Sequence, residues 1–388
     1  MRRILQNALT GLVQRPLMNV AHWLGELGHD SASARLYSTL ADHEPGPVRS
    51  AYLRYRSLLQ ENRFDEALAH FEEVVAAYPD AQTLYEYGTV LQQADRHLDA
   101  VDAFDRSLSL DLNRSVSHAH RAFSLMQLGR WLEAEAGLRR ALRHDPRNRL
   151  AWHDLGMALA QLERLDEAIE AFRSALTIAP DVATSMSLAY VLQAGERFSE
   201  AEAVLREALA ADPHHALVIA ELTGVLLRLE RDDDAYALAV EASVRMPDHP
   251  AVVGTLVGAL LAVDKIDEAV SNGERLVSLS DTAYGHSMLA WAYLESHQTD
   301  KAAAAMQRAE AKAAAETEPS MGHDDLTAAR VAVLSATGQH EAALTAFEQL
   351  RGKANGFYEK DSSLQRYVTE SRSALGLIPD SDRPQSGG

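Results

Sequence analysis

Apolar residues recur along most of this chain at the spacing of one face of an α-helix. The stretch 149–181 shows the pattern most clearly. In its first half, apolar residues and one glycine are spaced by three, one and three residues: Trp152, Leu155, Gly156 and Leu159. The second half repeats this spacing with Ala168, Phe172 and Ala175, and Pro180 ends it because proline has no backbone N–H to donate. The stretch therefore predicts two short helices joined by a tight turn.

The same helix pair is predicted repeatedly, with a period of 33 or 34 residues. Successive units begin at Val48, Ala81, Ser115, Arg149, Val182, Ala216, Pro250 and Ala283. An irregular unit begins near Asp324, 41 residues after the one before it, and the alanine-rich sequence between them predicts a long second helix.

Four regions follow from this rhythm, and all the predicted elements are helical. Residues 1–47 hold an N-terminal helix and a degenerate first repeat, and residues 48–316 form the regular array. Residues 317–375 hold the irregular last repeat and a capping helix, and residues 376–388 form a disordered tail. One helix pair buries too little apolar surface to fold alone, so the units must stack on their neighbours.

Residues 149–181 resemble a tetratricopeptide repeat, whose pattern is W-x2-L-G-x2-Y, then A-x3-F, then P. The Tyr position departs, because Leu159 occupies it. The resemblance implies an all-α solenoid, a right-handed superhelix of about nine to ten antiparallel helix pairs. It also implies that the protein works by presenting a binding surface.

In proteins that resemble this family, the first helices line a concave groove, and their second, fifth, ninth and twelfth residues point into it. The resemblance thus implies these partner-binding residues: Tyr52, Arg56, Tyr85, Thr89, Gln92, Phe123, Met126, His153, Met157, Met186, Tyr190, Gln193 and Trp291. Exposed aromatic and methionine side chains suit an apolar or amphipathic partner segment. In the alternative interpretation, several of these side chains fill gaps between adjacent first helices.

Two ligand modes of the family fit these positions poorly. A grip on a terminal carboxylate needs Lys, Arg and Asn in the groove, but the fifth and ninth positions carry no Lys or Asn, and Arg56 stands alone. Other members of the family bind a threaded peptide through a row of asparagines, but the groove positions of this chain carry no Asn. A hydrophobic peptide or helix of a partner protein remains.

We therefore expect a non-catalytic scaffold or adaptor that binds a protein or peptide partner. A second hypothesis is a regulatory or substrate-docking subunit of a bacterial enzyme system, such as polysaccharide or envelope synthesis, with catalysis on another chain. A third is a homo-oligomer formed through the Ala- and Gly-rich half around 220–258.

Charge and composition narrow the function classes further. The net charge of −19 argues against nucleic acid as a partner, since that would need a basic stripe. Part of the acidity lies where second helices begin, as at Asp99, Glu133 and Asp232 to Asp234. We expect these carboxylates to cap free N–H groups and to favour the positive end of the helix dipole.

Candidate chemistry is sparse. The chain has no cysteine, which excludes disulfides, thiolate metal sites and cysteine nucleophiles. Phosphate-binding, dinucleotide-binding, nucleophile-elbow and HExxH motifs are absent. No two of the 16 histidines stand four apart on a helix, and His118 and His120 point to opposed sides. We expect no catalysis, no cofactor and no metal.

The N-terminal segment has a basic start and an apolar helical face within residues 2–15. It predicts either a helix that caps the first repeat or a peripheral contact with a membrane surface, and the cap is favoured. The chain has no run of about 18 apolar residues, so no transmembrane helix is predicted. Its N-terminus does not resemble a secretory signal. We expect a cytoplasmic protein, and 32 Arg against 5 Lys is typical of a GC-rich bacterial source.

Overall fold

A computed structural model describes residues 20–22, 24, 30–44, 46–61, 63–315, 323–350, 362–375 and 377, and among these residues there is no β-strand. The predicted all-α fold is confirmed. The predicted helix at 2–15 and the tail apart from Leu377 lie outside the described ranges.

The helices form two compact units, Met1–Ala179 and Pro180–Gly388. The first unit contains α1 (Asp30–Asp42), α2 (Pro47–Gln60), α3 (Phe64–Ala77), α4 (Ala81–Gln93), α5 (His97–Leu110), α6 (Ser115–Gln127), α7 (Trp131–His144), α8 (Arg149–Gln161) and α9 (Leu165–Ile178). The second contains α10 (Val182–Ala194), α11 (Phe198–Ala211), α12 (Ala216–Arg228), α13 (Asp232–Arg245), α14 (Pro250–Ala262), α15 (Ile266–Leu279), α16 (Ala283–Glu295), α17 (Thr299–Ala315), α18 (His323–Ala336), α19 (His340–Leu350) and α20 (Ser362–Ala374).

The predicted helix pairs are present at the predicted places. First helices begin at the predicted residue or one residue before it, as at Pro47 and Ala81. Within each unit every helix packs against the next one along the chain. The long second helix is also confirmed, since α17 has 17 residues where α15 has 14.

From α4 to α18, each first helix is followed by a residue in the left-handed conformation. In the pair α8 and α9 this residue is Glu163, with a φ of 59°, and in the pair α6 and α7 it is Gly129, with a φ of 70°. The N–H of the following residue then donates back to the first helix, as Arg164 does to the carbonyl of Leu159 at 3.0 Å. This geometry satisfies free carbonyl groups at the helix end and turns the chain into the second helix.

Small residues let the two helices of a pair approach closely. The Phe172 ring of α9 is fully buried and covers Gly156 of α8. A methyl group on the Gly156 Cα would lie 2.7–2.8 Å from carbons of that ring. Phe104 and Gly88 repeat the contact in the pair α4 and α5. The signature residues of the sequence pattern are therefore the core contacts of each pair.

The acids at the start of second helices have a different partner from the one expected. From α3 to α15, the residue before each second helix is Arg or Lys, and its side chain makes no capping bond. Instead, Arg96 donates to Asp99 at 2.6 Å and Arg130 donates to Glu133 at 2.7 Å. The carboxylates still lie in the first turn, where the helix dipole favours negative charge. At Asp99 and Glu133, the hydrogen bond to the basic residue three positions earlier therefore takes the place of the expected cap.

Candidate binding surface on the first helices

The candidate groove residues lie on the first helix of each pair, and their surroundings depend on their position in the repeat. Positions are counted from the first residue of each unit, so that Ala81 and Arg149 are both position one. Positions five, nine and twelve carry the residues that the sequence singled out. The three positions differ in how much of each side chain solvent can reach.

Position five lies at the seam between the two helices of a pair. The Tyr85 ring lies 6.0 Å from the Phe104 ring of its own second helix, and the His153 ring lies 5.5 Å from the Phe172 ring. The centre of the Tyr52 ring lies 6.5 Å from the centre of the Tyr55 ring on the same helix. These residues are half-buried, as is Met186 at the same position. Much of their surface is therefore used inside the fold.

Position twelve lies against the first helix of the following repeat. The Gln92 amide nitrogen donates to the carbonyl of His120 at 2.7 Å and to the Ser124 hydroxyl at 2.8 Å. Gln193 likewise donates to Glu221, at 3.2 Å. Met126 is only 8% exposed. The expectation that Met126 points into an open groove was wrong, because this residue is buried.

Position nine holds the most accessible of the predicted partner-binding residues in the middle of the chain. Tyr190 is 70% exposed and Phe123 is 38% exposed. Phe123 contacts His97 only at its edge, with the ring centroids 6.2 Å apart. Met157 at the same position is half-buried. Phe123 and Met157 in the first unit and Tyr190 in the second are therefore the accessible members of the predicted set.

Other residues at position nine are occupied by neighbouring side chains. The Arg56 guanidinium lies 5.5 Å from the centre of the Tyr37 ring and donates to the Tyr37 hydroxyl at 3.4 Å. Thr89 donates to the carbonyl of Glu86 at 2.7 Å. Trp291 packs edge-on against Tyr367 of α20, at 6.3 Å. Here the gap-filling interpretation describes the contacts better than a free surface does.

His120 closes a hydrogen-bonded network between α4 and α6. The Gln92 amide oxygen can only accept, so the 2.9 Å contact requires the proton on His120 Nδ1. His120 Nε2 then accepts from the Tyr85 hydroxyl at 3.2 Å. Burial lowers the pKa of His120, which favours this neutral ring. Tyr85 and Gln92 therefore link consecutive repeats.

Exposed apolar residues at position two were missed by the sequence analysis. They are Val116, Leu150 and Leu217, and Leu150 is 61% exposed. Position two stands seven residues before position nine, so the two share a helical face. The family pattern already named position two, and the apolar residues there were the available signal. In α6 and α8 the accessible stripe therefore runs from Val116 to Phe123 and from Leu150 to Met157.

Between these apolar residues lies a polar residue at position six. It recurs in six successive repeats as Glu86, His120, Asp154, Ser187, Glu221 and Thr255. Burial raises the pKa of Glu86, and it raises the pKa of Asp154 to about 6. A carboxylate held this far from water is more difficult to ionise. The sequence analysis did not consider position six.

The small residues of the second half are partly covered. The Tyr284 ring lies over Gly254, where a methyl group would meet it at 2.8 Å. Gly258 faces the end of Met288, whereas Gly224 has open space around its Cα. The surface on which the self-association hypothesis rested is therefore smaller than the sequence suggested.

In the part of the chain that the structure describes, no group of three or more His, Asp or Glu residues is arranged to hold a metal ion. No helix in the same residues has both the length and the apolar character to cross a membrane.

Comparisons with known proteins give a family match. A model described as tetratricopeptide repeat matches residues 52–113 and 121–183. Among curated proteins, the chain is similar to the small glutamine-rich tetratricopeptide repeat-containing protein 2 of Mycosarcoma maydis, with 28% identity over 116 residues. The match spans 30% of this chain and 30% of that relative.

Solved structures with similar folds are distant in sequence. A tetratricopeptide repeat protein from Parabacteroides merdae has a TM-score of 0.48 and 13% identity, covering 72% of this chain and 97% of that one. The C-terminal part of a repeat protein from Cytophaga hutchinsonii has a TM-score of 0.48 and 14% identity, covering 60% and 96%. YrrB, described as having an unusual peptide-binding site, has a TM-score of 0.41 and 20% identity, covering 47% and 95%.

Proposed function

We propose, from the premise that the chain is a tetratricopeptide-repeat protein, that it is a non-catalytic scaffold or adaptor in the cytoplasm. Its first helices bind an apolar or amphipathic segment of a partner protein. In the first unit, the bound segment contacts the first-helix faces between residues 48 and 161. The acidic net charge disfavours nucleic acid as the partner.

One observation carries this proposal. Phe123 and Tyr190 occupy position nine of two first helices, and both keep a large part of an aromatic side chain exposed. In the described residues the Tyr190 hydroxyl has no hydrogen-bond partner. Rigid aromatic side chains of this kind gain contact area at low entropic cost, and they dominate the binding energy of many interfaces.

The test is a quantitative affinity capture with three baits. The first is the wild type, and the second is Phe123→Ala/Met157→Ala in the first unit. The third is Leu98→Ala/Leu132→Ala, a matched control that removes two leucines exposed by 65% and 68% on second helices. All baits must first show equal helicity by circular dichroism. Tyr190→Ala tests the second unit separately.

We expect proteins that the wild type and the control retain and that the first-helix variant loses at least tenfold. Binding of the captured protein is then repeated with purified components. If the first-helix variant and the wild type retain the same proteins equally, the exposed stripe is not the binding surface. A regulatory or docking subunit would use the same surface, but it would also change the catalytic activity of its purified partner.

A further inference from the structure

Position six shows one difference between repeats that bears on the chemistry of the partner. Five of the six polar residues there have hydrogen-bond partners within the chain. Glu86 accepts from Gln82, and Glu221 accepts from Gln193. Ser187 and Thr255 donate to carbonyls of their own helices. His120 is bonded on both ring nitrogens.

Asp154 is the exception. Among the residues that the structure describes, its carboxylate has no hydrogen bond and no ion pair. It is half-buried, so the carboxylate has lost water without gaining a donor, yet a ligand can still reach it. A buried ionised carboxylate without a partner costs free energy. Burial is accordingly the cause of its raised pKa.

The residue 28 positions before Asp154 explains why its carboxylate has no donor. Position twelve of one repeat contacts position six of the next, and Gln92 supports His120 in this way, as Gln193 supports Glu221. The residue at the corresponding place before Asp154 is Met126. A thioether has no donor to offer a carboxylate. The chain thus leaves Asp154 without the position-twelve amide that supports His120 and Glu221.

The surroundings of Asp154 are apolar along the same helical face. Leu150 stands four residues before it and Met157 three residues after it, so all three share one side of α8. Leu150 is exposed and Met157 is half-buried. On the neighbouring α6, Val116 and Phe123 flank His120 at the same positions. A single acid thus lies within an accessible apolar surface.

We propose that Asp154 receives a single Lys or Arg side chain of the partner segment, whose neighbouring residues are apolar and contact Leu150, Met157 and Phe123. This inference rests on the proposed function and specifies its partner. The ammonium or guanidinium group supplies the donor that Met126 does not. A charged pair in a partly desolvated site strengthens binding and fixes the register of the segment.

The test uses a phage-displayed library of random 12-residue peptides, selected on the full-length protein. Selected peptides are synthesised, and their affinities are measured by fluorescence anisotropy. The variants are Asp154→Asn, the matched control Glu86→Gln at the same position two repeats earlier, and Phe123→Ala/Met157→Ala. Met126→Gln is a second test variant, because it keeps the carboxylate and offers it an internal donor.

We expect the selected peptides to carry one Lys or Arg between apolar residues. Asp154→Asn and Met126→Gln should each weaken binding at least tenfold, and Glu86→Gln less than twofold. Replacing the basic residue of the peptide by Met should cause the same loss on the wild type and no further loss on Asp154→Asn.

The failures of the two proposals are distinguishable. If Phe123→Ala/Met157→Ala weakens binding but Asp154→Asn does not, the surface binds a segment without a cation at Asp154, and the inference is overturned. If no selected peptide depends on Phe123, Met157 or Asp154, the proposed function fails as well. If Asp154→Asn changes the mass of the protein in light scattering and leaves peptide binding intact, the occupant is a second copy of the chain, and the inference is also overturned.

Discussion

Gln92 and His120 join two consecutive repeats through a pair of hydrogen bonds that run in opposite directions. The Gln92 amide nitrogen donates to the His120 backbone carbonyl at 2.7 Å, and the Gln92 amide oxygen accepts from His120 Nδ1 at 2.9 Å. The histidine side chain is thereby fixed in position and in tautomer. A residue that the sequence pattern assigned to the groove instead links α4 to α6.

Gln92→Ala should therefore destabilise the fold. The change removes the partner of partly buried polar groups, and we expect a loss of about 1–2 kcal/mol in the free energy of unfolding. Urea titration followed by circular dichroism measures it. Gln93→Ala is the control, because Gln93 is exposed on the same helix and should change stability by less than about 0.5 kcal/mol. Equal effects of the two substitutions would show that the link contributes nothing.

Two glycines with open space around them should respond to alanine in opposite directions. Gly129 has a φ of 70°, and a methyl group there meets no atom within 4 Å. Gly129→Ala should cost about 1 kcal/mol, because the left-handed conformation strains any residue that has a Cβ.

Gly224 lies inside α12 with equally open space and without a positive φ. Gly224→Ala should stabilise the protein by about 0.5–1 kcal/mol, since alanine favours a helix more than glycine does. Thermal unfolding of Gly129→Ala and Gly224→Ala, each compared with the wild type, measures the two changes in stability. Changes of the same sign would contradict the assigned backbone conformations.

Gly156→Ala should destabilise the pair α8 and α9 by steric overlap with the Phe172 ring, by about 1–3 kcal/mol. The double variant Gly156→Ala/Phe172→Leu should lose less stability than the two single variants added together, because the smaller side chain leaves room for the methyl group. Gly258→Ala serves as the control, since its nearest neighbour is the flexible Met288 end at 3.7 Å. Strict additivity would argue against the contact.

Asp154→Asn should stabilise the free protein near neutral pH. The pKa of Asp154 is about 6 in the fold against an ordinary value of 3.8. The protonated carboxyl group therefore makes its full contribution to the stability of the fold only below pH 3.8, and this contribution is lost as the pH rises through 6. At pH 7 the wild type bears the cost of a buried charge, and the amide removes about 1–2 kcal/mol of it, allowing for partial exposure.

The measurement is the urea midpoint of both proteins between pH 4 and pH 7.5. The stabilising effect of Asp154→Asn should shrink toward acid pH, where the carboxyl group of the folded wild type becomes protonated. A gain that does not depend on pH would mean that the carboxylate is not the cause. A loss at pH 7 would show that Asp154 already has a stabilising partner.

The helix pairs could be predicted from the sequence because their cause is local. Periodic apolar residues, a glycine opposite an aromatic ring and a proline at the end suffice to place α8 and α9, and the same pattern recurs in the other repeats. Gly156, which the spacing places on one helical face with Leu155 and Leu159, lies under the Phe172 ring. Capping was less predictable, because Arg130 and Glu133 pair with each other across the first turn.

The candidate surface was harder to predict because it depends on the neighbouring repeat. Position twelve has the spacing of a groove position within one helix, but Met126 is buried there and Gln92 is bonded to the next first helix. Trp291 is covered by α20, a contact between residues far apart in the sequence. The isolation of Asp154 follows from a residue 28 positions away. Helical periodicity within one repeat contains none of this information.

Photocrosslinking from single positions tests most directly whether the partner binds on the first helices. The photoreactive residue p-benzoylphenylalanine replaces Phe123 on the first-helix face in one protein and Leu132 on a second helix in the other. Each protein is irradiated with the purified partner and analysed by mass spectrometry. The account predicts a strong crosslink from position 123 to one short segment of the partner and none from position 132. A crosslink from position 132 with none from position 123 would contradict binding on the first helices.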